Sequence, residues 1–487
     1  MRWPRQARRN GADGRGSVAG LDPDDWRGLR ALGHRMLDDM FDRLEHVGDG
    51  PVWRPMPGQD RDALRTGLPR RPAPPEEIYA RFTALIAPYA TGNTHPRFMG
   101  WVHGAGTGVG MLAEMLAAGL NANCGGRDHA PIEVEREVIR WAAEMVGLPT
   151  TTSGLLVTGS SMANLIAIVT ASRARPDGVA LRHTGVGARP LVGYAARTAH
   201  GCIARAFDIC GLGTDSLRLI DTDDAHRMCP QALARAIAAD RQAGREPFIV
   251  VATAGTVDVG AVDDLETIGA IARDAGLWFH VDGAFGALAR LAPRHRAYLD
   301  GIEQADSLAF DFHKWAQVPY DAGCVLIRDA GAHAAAFAQT LAYLQREDRG
   351  LAGNAPWFCD LGPDLSRGFR ALKVWMTLSA YGADRLGEMV DACCAVAAHL
   401  AARVEREPDL ERLAPVTLNI VCFRVRASDA FNAELVKDLQ EAGIAAPSTT
   451  TINGRCAIRA AIVNHRTTNA DVDALVDAAL ERARSRS

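Results

Sequence analysis

Two short stretches of the sequence, His280-Val-Asp-Gly-Ala284 and Asp311-Phe-His-Lys-Trp315, decide the fold. A short apolar or aromatic run precedes each of them, which predicts two buried strands that end near Asp282 and Asp311. Open α/β folds place their ligands at the carboxyl edge of the sheet. We therefore expect the two acidic residues and Lys314 to face a ligand at that edge.

The residue types at this edge suit one cofactor. A lysine such as Lys314, backed by His313, can form a Schiff base, and Asp282 can hold a pyridine nitrogen protonated. The combination predicts a pyridoxal phosphate site, in which the protein orients the cofactor and the ring takes up electrons. Ala284 would then pack beneath the ring. Taken alone, an aspartate after a strand is more often a helix cap, and a His-Lys pair usually lies on the surface.

A third motif, Thr158-Gly-Ser-Ser-Met-Ala-Asn164, follows a predicted strand and opens a helix. Its glycine allows close backbone approach, its serine hydroxyls can donate hydrogen bonds, and the N-terminus of a helix favours an anion. Gly-Ser-Ser also caps ordinary helices, so the motif alone is equally consistent with a helix cap.

Short apolar segments alternate with helical patterns from about residue 154 to residue 328. Seven strands with intervening helices predict a mostly parallel sheet that is covered on both faces. The predicted strands begin at Leu155, Leu191, Leu217, Phe248, Trp278, Ser307 and Gly323.

Together these motifs resemble the group II pyridoxal-phosphate-dependent amino acid decarboxylases, the family of the aromatic-L-amino-acid, glutamate and histidine decarboxylases. The resemblance runs from about residue 75 to about residue 485. It implies the α/β architecture of the fold type I pyridoxal enzymes, with a mostly parallel seven-stranded sheet, helices on both of its faces and a small α+β C-terminal domain. It also implies a homodimer in which the N-terminal helices lie across the partner subunit.

The resemblance assigns further cofactor contacts. Ser160 and Ser161 would bind the phosphate, with His313 as an additional contact. His200 would stack on the pyridine face and approach the substrate carboxylate, although a histidine in front of an apolar helix can also be a cap or a core residue. Thr253 would help to fix the ring, and a purely structural role for it is nearly as plausible.

The segment from His95 to His103 resembles the one that lines the side-chain pocket in this family. Phe98 and Trp101 would suit an aromatic or large apolar substrate, and His103 would add a polar contact. Each of these residues can equally well be core packing. Apart from Arg97, no basic residue is placed to hold a second carboxylate.

The segment from Tyr343 to Arg367 is rich in glycine and lacks helical periodicity, which predicts a mobile loop that could act as a lid. In the family, decarboxylases of aromatic amino acids usually carry a tyrosine here, which protonates Cα. No tyrosine lies between Tyr343 and Tyr381, and Trp357 and Phe358 occupy the matching stretch. Loss of that hydroxyl is associated in the family with oxidative deamination to an aldehyde.

Four segments are predicted along the chain. A capped amphipathic helix from Asp22 to His46 and a second helix from Pro75 to Tyr89 belong to the N-terminal part. The predicted boundaries are 1–20 for a disordered tail, 21–105 for an N-terminal helical segment, 106–385 for a large cofactor-binding domain and 386–487 for a small α+β domain. Arg367 and Arg370 match a family helix in which their role is either structural or functional.

Composition narrows the class of protein. Of the 487 residues, 48% are hydrophobic and 23% are charged, which describes a globular protein with a large core. The net charge of −4 argues against a nucleic acid partner, and no apolar run reaches the roughly 18 residues that a membrane span needs. Ten scattered cysteines without a Cys-x-x-Cys motif argue against a metal site or a disulfide framework and favour reduced thiols in the cytoplasm.

We therefore expect decarboxylation of an L-amino acid, with aromatic substrates favoured, to the amine and CO₂. The predicted catalytic residues are Lys314, His200 and Asp282. An aldehyde-forming oxidative deaminase is the main alternative, and a retro-aldol lyase is a more distant one. A non-catalytic pyridoxal-binding protein is the alternative from another class.

Overall fold

The computed structural model describes residues 20–339 and 346–485. The predicted disordered tail, except for Gly20, lies outside the described residues, as does Tyr343 in the predicted loop.

The secondary structure alternates between helices and strands through the middle of the chain. The helices of the described part are Trp26–Glu45 (α1), Gly58–Leu64 (α2), Pro75–Leu85 (α3), Gly108–Leu120 (α4), Ala130–Val146 (α5), Ser160–Arg173 (α6), Gly178–Thr184 (α7), Cys202–Ile209 (α8), Pro230–Gln242 (α9), Leu265–Asp274 (α10), Ala330–Phe337 (α11), Ala371–Tyr381 (α12), Ala383–Arg406 (α13), Asp429–Glu441 (α14) and Asn469–Arg484 (α15). The strands are Ser153–Val157 (β1), Leu191–Ala196 (β2), Leu217–Ile220 (β3), Glu246–Thr253 (β4), Trp278–Asp282 (β5), Ser307–Asp311 (β6), Gly323–Ile327 (β7), Leu410–Arg412 (β8), Ile420–Val425 (β9), Ser448–Ile452 (β10) and Arg455–Ala461 (β11).

The large sheet has seven strands in the order β1-β7-β6-β5-β4-β2-β3. Strands β2 to β6 pair in parallel, whereas β7 runs antiparallel to both of its neighbours, β1 and β6. The predicted mostly parallel sheet of seven strands is confirmed. Because β1 and β6 both run opposite to β7, the carboxyl ends of β1, β4, β5 and β6 meet at one edge.

Both faces of this sheet are buried. Along β4, Ile249 and Val251 pack into one apolar cluster, while the alternating residues Val250 and Ala252 pack into another. Successive side chains of a strand point to opposite faces, so the two clusters lie on opposite sides of the sheet. Burial of both faces explains why the strands read as continuous apolar runs rather than as alternating ones.

A second, antiparallel sheet has the order β10-β11-β9-β8 and packs with α13, α14 and α15. The sequence pattern predicts strands over Leu418–Val425 and Cys456–Ile462 and helices over Asp429–Ala442 and Asn469–Arg484, which correspond to β9, β11, α14 and α15, but it predicts neither β8 nor β10. Strand β8 has three residues, and β10 is mainly threonine, so neither carries the apolar pattern by which strands are recognised.

The N-terminal helices leave much apolar surface in water. Asp25 caps α1 by accepting a hydrogen bond from the Arg27 N–H at 3.0 Å, as expected for a capped amphipathic helix. Leu32 is its only buried residue, while Trp26 and Phe41 are exposed. Among residues 20–339 and 346–485, no helix combines the length and apolar character needed to cross a membrane.

Candidate active site

A cavity of about 340 Å³ lies at the carboxyl edge of the large sheet. Residues at or after the ends of β1, β2, β4, β5 and β6 line it together with a segment near residue 101. The lining residues are Trp101, Val102, His103, Thr158, Gly159, Ser160, Ser161, His200, Thr253, Gly255, Val257, Asp282, Ala284, Phe285, Asp311, His313, Lys314 and Tyr320. A larger cavity of about 890 Å³, next to Arg140 and Leu378, contains none of the predicted site residues.

Lys314 is held in this cavity by charge and by backbone contact. Its Nζ lies 2.9 Å from Oδ2 of Asp311, a carboxylate that is almost fully buried. The Gly104 N–H donates to the His313 carbonyl at 3.2 Å. A Cβ at Gly104 would overlap the carbonyl oxygens of His313 and Lys314, so only glycine allows this approach. The lysine is thereby fixed at the sheet edge, with its amine exposed to the cavity.

Asp282 is the buried acid of the site. The Ala284 N–H donates to its Oδ1 at 3.2 Å. Burial raises the pKa of Asp282, whereas the charges of Lys314 and His200 oppose that rise. A buried carboxylate that faces a cavity is stabilised by a cation beside it, and a protonated pyridine nitrogen is such a cation.

The phosphate end of the cavity is formed by the start of α6. Helix α6 begins at Ser160 without a side-chain cap, because its N-cap residue is Gly159. The first N–H groups of a helix have no intrahelical acceptor and therefore favour an anion. Gly159 also lies against Gly323, where a Cβ would overlap its backbone. This close packing brings the loop after β1 next to the residues that follow β6.

His313 borders the same end. Its Nδ1 accepts a hydrogen bond from the Ala322 N–H at 3.0 Å, so the proton of the neutral ring is on Nε2. Burial lowers the pKa of His313. The ring therefore presents an N–H donor, which suits a phosphate oxygen.

His200 and Thr253 complete the cofactor contacts that were predicted. The Cys202 N–H donates to Nδ1 of His200 at 3.2 Å, which leaves Nε2 of this exposed ring as the donor. The backbone N–H of Thr253 donates to Oδ2 of Asp263 at 2.7 Å. Oγ1 of Thr253 is buried and has no hydrogen-bond partner in the described chain. Because Thr253 also lines the cavity, its hydroxyl is free to bond to a ligand there.

The substrate end is aromatic. Trp101 and Tyr320 line the cavity and are 54% and 49% exposed. His103 lies between them, 5.8 Å from each ring centre, and burial together with the charge of Lys314 lowers its pKa. Phe98 does not line the cavity. It packs behind His103, with its ring parallel within 14° and 5.8 Å away.

Trp357 and Phe358, which we predicted to line the pocket, lie outside this cavity of the chain. Both are buried. Trp357 stacks between the guanidinium groups of Arg127 and Arg346, at 4.3 and 4.5 Å, and its indole N–H donates to the Gly353 carbonyl. Cation–π contacts and burial therefore hold its ring within the body of the chain.

Part of the predicted lid is tied to the body of the protein. Arg136 on α5 donates to the side chain and the carbonyl of Asn354, at 2.7 and 2.9 Å. The Asp128 N–H donates to the Leu351 carbonyl, and the Cys359 N–H donates to the Gly125 carbonyl. Residues 346–360 are thus anchored to the segment before α5 and to α5 itself.

The two arginines that match a family helix have different surroundings. Arg367 is buried and forms a two-pronged ion pair with the buried Glu135, at 2.5 and 3.0 Å. It also donates to the carbonyls of Cys124 and Leu156, so its role is structural. Arg370 pairs with Asp321 at 2.7 Å, next to Tyr320 in the chain.

The sequence did not predict the roles of two polar groups of the cavity. Asp311 was expected at the ligand edge of the sheet, but its ion pair with Lys314 was not predicted, although the spacing of three residues allows it. Tyr320 was not singled out, and only its position shortly after Lys314 could have indicated it. Within the described residues, no group of three or more His, Cys, Asp and Glu side chains is arranged to hold a metal.

The cavity fits pyridoxal phosphate. It offers an amine at Lys314, a buried carboxylate at Asp282, an uncapped helix start at Ser160 and an unpartnered hydroxyl at Thr253. These groups are complementary to the aldehyde, the ring nitrogen, the phosphate and a polar ring substituent of that cofactor. The structure thus brings all eight predicted cofactor contacts into one cavity.

Comparisons with known proteins agree with this assignment. The model of the pyridoxal-dependent decarboxylase conserved domain matches residues 57–426. An aromatic-L-amino-acid decarboxylase from Bacillus atrophaeus is 32% identical, over 91% of this chain and 93% of the relative. A phenylacetaldehyde synthase from Arabidopsis thaliana is 29% identical, over 92% and 94%. The crystal structure of Oryza sativa TDC with PLP and tryptamine superimposes with a TM-score of 0.88 at 27% identity, over 96% of this chain and all of that one. The predicted resemblance and the predicted cofactor are confirmed.

Proposed function

This chain belongs to the pyridoxal-dependent decarboxylase family, and we propose that it converts an aromatic L-amino acid to the corresponding amine and CO₂. The observation that carries this proposal is the cavity in which Lys314, Asp282 and His200 meet an aromatic wall. An amine, a buried acid and a histidine donor supply the polar groups of the reaction, and Trp101 and Tyr320 supply apolar area for the substrate side chain.

Lys314 and Asp282 act at opposite ends of the reacting system. When bound, pyridoxal phosphate supplies an electron sink for the pair that CO₂ leaves at Cα. Lys314 binds the cofactor and, as a free amine during turnover, carries a proton to or from Cα. Asp282 keeps the ring nitrogen protonated by placing a buried negative charge beside it. Asp311, 2.9 Å from the Lys314 amine, holds that amine in place.

His200 orients the substrate. Its Nδ1 accepts from the Cys202 backbone, so its Nε2–H is the group that can donate to the substrate carboxylate. A carboxylate held by His200 would have its bond to Cα aligned with the electron sink that the cofactor would supply. Such a contact accelerates the reaction only to the extent that it is stronger in the transition state than in the ground state.

The lining of the cavity favours aromatic over acidic substrates. Among the described lining residues, Lys314 is the only lysine or arginine, and the chemistry occupies it. A second carboxylate on the substrate would therefore lie beside Trp101, His103 and Tyr320 without a basic partner. Desolvation of an unpaired charge is costly, whereas an aromatic ring gains burial and stacking there.

The product depends on which group protonates Cα. The absence of a tyrosine from the described part of the loop and the phenylacetaldehyde synthase relative favour an aldehyde as the alternative product. Tyr320 favours the amine, because it places a hydroxyl in the cavity of the same chain. Burial raises the pKa of Tyr320, so its hydroxyl keeps the proton that it would donate.

An amino acid panel tests the proposal. Purified enzyme is incubated with aromatic, acidic and aliphatic L-amino acids, and amine, aldehyde, hydrogen peroxide and CO₂ are measured together. We expect amine and CO₂ in equal amounts from an aromatic substrate, and none from the Lys314→Ala variant. Stoichiometric peroxide and aldehyde would overturn the proposed product. Preference for glutamate or aspartate would overturn the substrate class.

A homodimer is the second part of the proposal. The exposed apolar residues of α1 and α3, among them Trp26, Phe41 and Ile78, need a partner surface, and Trp101 and Tyr320 leave one wall of the cavity open. A second copy of the chain would cover both. Light scattering should give twice the chain mass at micromolar concentration. A fully active monomer would contradict this part.

We propose the cytoplasm as the location. All ten cysteines are free, which is what a reducing compartment requires. Recovery of the native enzyme mainly in a membrane or secreted fraction would contradict this location.

A further inference from the structure

His103 is a polar residue of the cavity that the proposed mechanism does not use. Its ring packs against three aromatic rings, those of Phe98, Trp101 and Tyr320, each with a centroid distance of 5.8 Å. Phe98 and Trp101 lie within 14° and 25° of parallel to it, and Tyr320 meets it edge-on at 80°. Neither nitrogen of the His103 ring makes a hydrogen bond to any residue that the structure describes. The aromatic contacts therefore fix the ring, while both nitrogens stay available to a ligand.

The backbone beside His103 is also held in place. The Gly104 N–H donates to the His313 carbonyl at 3.2 Å, and the Asn93 side chain donates to the Gly104 carbonyl at 2.8 Å. Trp101 has a φ of 51°, a conformation that bulky side chains rarely adopt and that is concentrated at functional sites. A polar group that is fixed before binding discriminates well between ligands, because binding does not have to order it.

His103 is neutral at neutral pH. Burial lowers the pKa of His103, and the charge of Lys314 lowers it further. A neutral imidazole carries one N–H donor and one acceptor nitrogen. It therefore has no charge to pair with a second carboxylate, but it can form a hydrogen bond with a hydroxyl group, which both donates and accepts.

We propose that His103 is a specificity-determining residue, which bonds to a hydroxyl group on the aromatic ring of the substrate and so selects tyrosine or a hydroxylated relative over phenylalanine. This inference rests on the proposed function, because it needs an aromatic substrate in the cavity. Trp101 and Tyr320 offer apolar contact to any aromatic ring, so they do not distinguish these substrates. A ring without a hydroxyl would displace water from the imidazole and leave its nitrogens without a partner, which opposes binding.

The first test compares tyrosine with 4-methylphenylalanine, which has nearly the same size and carries a methyl group in place of the hydroxyl. For the wild-type enzyme, kcat/KM should be at least about tenfold higher for tyrosine. His103→Phe keeps the aromatic contacts and removes both nitrogens, so this preference should disappear or reverse. His103→Gln supplies a donor and an acceptor and should recover part of it. Turnover of 4-methylphenylalanine by His103→Phe shows that the variant is folded.

Tyr320→Phe is the matched control, because it removes the other uncharged polar group of the aromatic wall and keeps the ring. We expect this variant to retain the preference for tyrosine, whatever it does to the rate. If Tyr320→Phe loses the preference and His103→Phe retains it, the substrate hydroxyl bonds to Tyr320 and the proposal is wrong. A wild-type enzyme that uses tyrosine and 4-methylphenylalanine equally well would also overturn it.

The second test needs neither a variant nor turnover. The amines that correspond to the two substrates, tyramine and 4-methylphenethylamine, are titrated into the wild-type holoenzyme, and their dissociation constants are measured from the cofactor absorbance. Tyramine should bind about tenfold more tightly. If no aromatic amino acid is decarboxylated, the proposed function fails, while tighter binding of tyramine still supports the role of His103. Equal binding of the two amines refutes that role even if aromatic amino acids are decarboxylated.

Discussion

Lys314 is one of only three lysines in the chain, and the other two lie outside the cavity. Lys373 is paired with Glu114 on α4, and Lys437 pairs with Glu434 on the surface. Because there are only three lysines, one peptide map can follow all of them. Lys373 and Lys437 then serve as internal controls for the attachment of the cofactor to Lys314.

Borohydride reduction of the holoenzyme should therefore fix the cofactor to Lys314 alone. We expect mass spectrometry to find the modified peptide at Lys314 and unmodified peptides at Lys373 and Lys437. In Lys314→Ala, the cofactor should still bind through its phosphate and ring contacts but should wash out after reduction. A stable adduct in that variant would show that another amine is the attachment point.

Gly104 lies in the segment before α4, where this segment packs against the backbone of His313 and Lys314. Gly104→Ala would force a Cβ into the carbonyl oxygens of His313 and Lys314 and displace the lysine. We expect cofactor occupancy and activity to fall at least about tenfold. Gly108→Ala is the control, because a Cβ there meets only the ring of Phe41 in ordinary contact. Equal occupancy in both variants would contradict the role of Gly104.

The buried ion pair of Arg367 and Glu135 joins the segment before α12 to α5. Arg367→Met leaves the buried Glu135 carboxylate unpaired and should lower the free energy of unfolding by about 3–5 kcal/mol. Adding Glu135→Met should restore part of this loss, but the Cys124 and Leu156 carbonyls would still lack their donor. Arg370→Met, which breaks a more exposed pair, should cost about 1 kcal/mol or less. Urea unfolding measures all three.

The same ion pair shows where sequence patterns stop being informative. The sequence pattern predicts a long helix over residues 365–381, but the helix begins at Ala371, because the Arg367 carbonyl instead accepts from the Cys124 N–H at 2.7 Å. All seven strands of the large sheet were predictable, since burial on both faces leaves continuous apolar runs. The burial of Trp357 was not predictable, because Arg127 is far from it in the chain.

The positions of those site residues that depend on a single strand could be predicted from the sequence. Asp282 is the last residue of β5 and Lys314 lies three residues after β6, so the strand pattern alone predicts their position at the sheet edge. The contacts between separate elements, such as Asn164 with His280, required the packing of α6 on β5 and could not be derived from spacing. The domain boundaries at residues 105 and 385 stay predictions.

At the scale of the whole molecule, buried histidines make stability depend on pH. Burial lowers the pKa of His280 to about 3 and that of His333 to about 4. The pKa of a histidine in the unfolded chain is about 6.5, so below that pH the unfolded chain takes up protons that the native chain does not. The free energy of unfolding should therefore fall as the pH drops from about 6.5 toward the folded values.

His333→Gln should reduce the number of protons taken up on unfolding by about one. The slope of the free energy of unfolding against pH should then fall by about 1.4 kcal/mol per pH unit. Urea unfolding between pH 5 and pH 7 measures the slope. Ser153→Ala removes the same hydrogen bond and keeps the histidine, so it should keep the wild-type slope. An unchanged slope in His333→Gln would contradict the lowered pKa.

The place of β7 in the large sheet determines when the nascent protein acquires its site. Residues 323–327 pair on one side with residues 153–157 and on the other with residues 307–311. Until β7 leaves the ribosome and inserts, no strand pairs with both β1 and β6, although the loop after β1 and the lysine after β6 end up only two strand spacings apart, about 9.6 Å. Coenzyme capture during translation must therefore wait for the last strand of the sheet, and it reports completed folding rather than assisting its early steps.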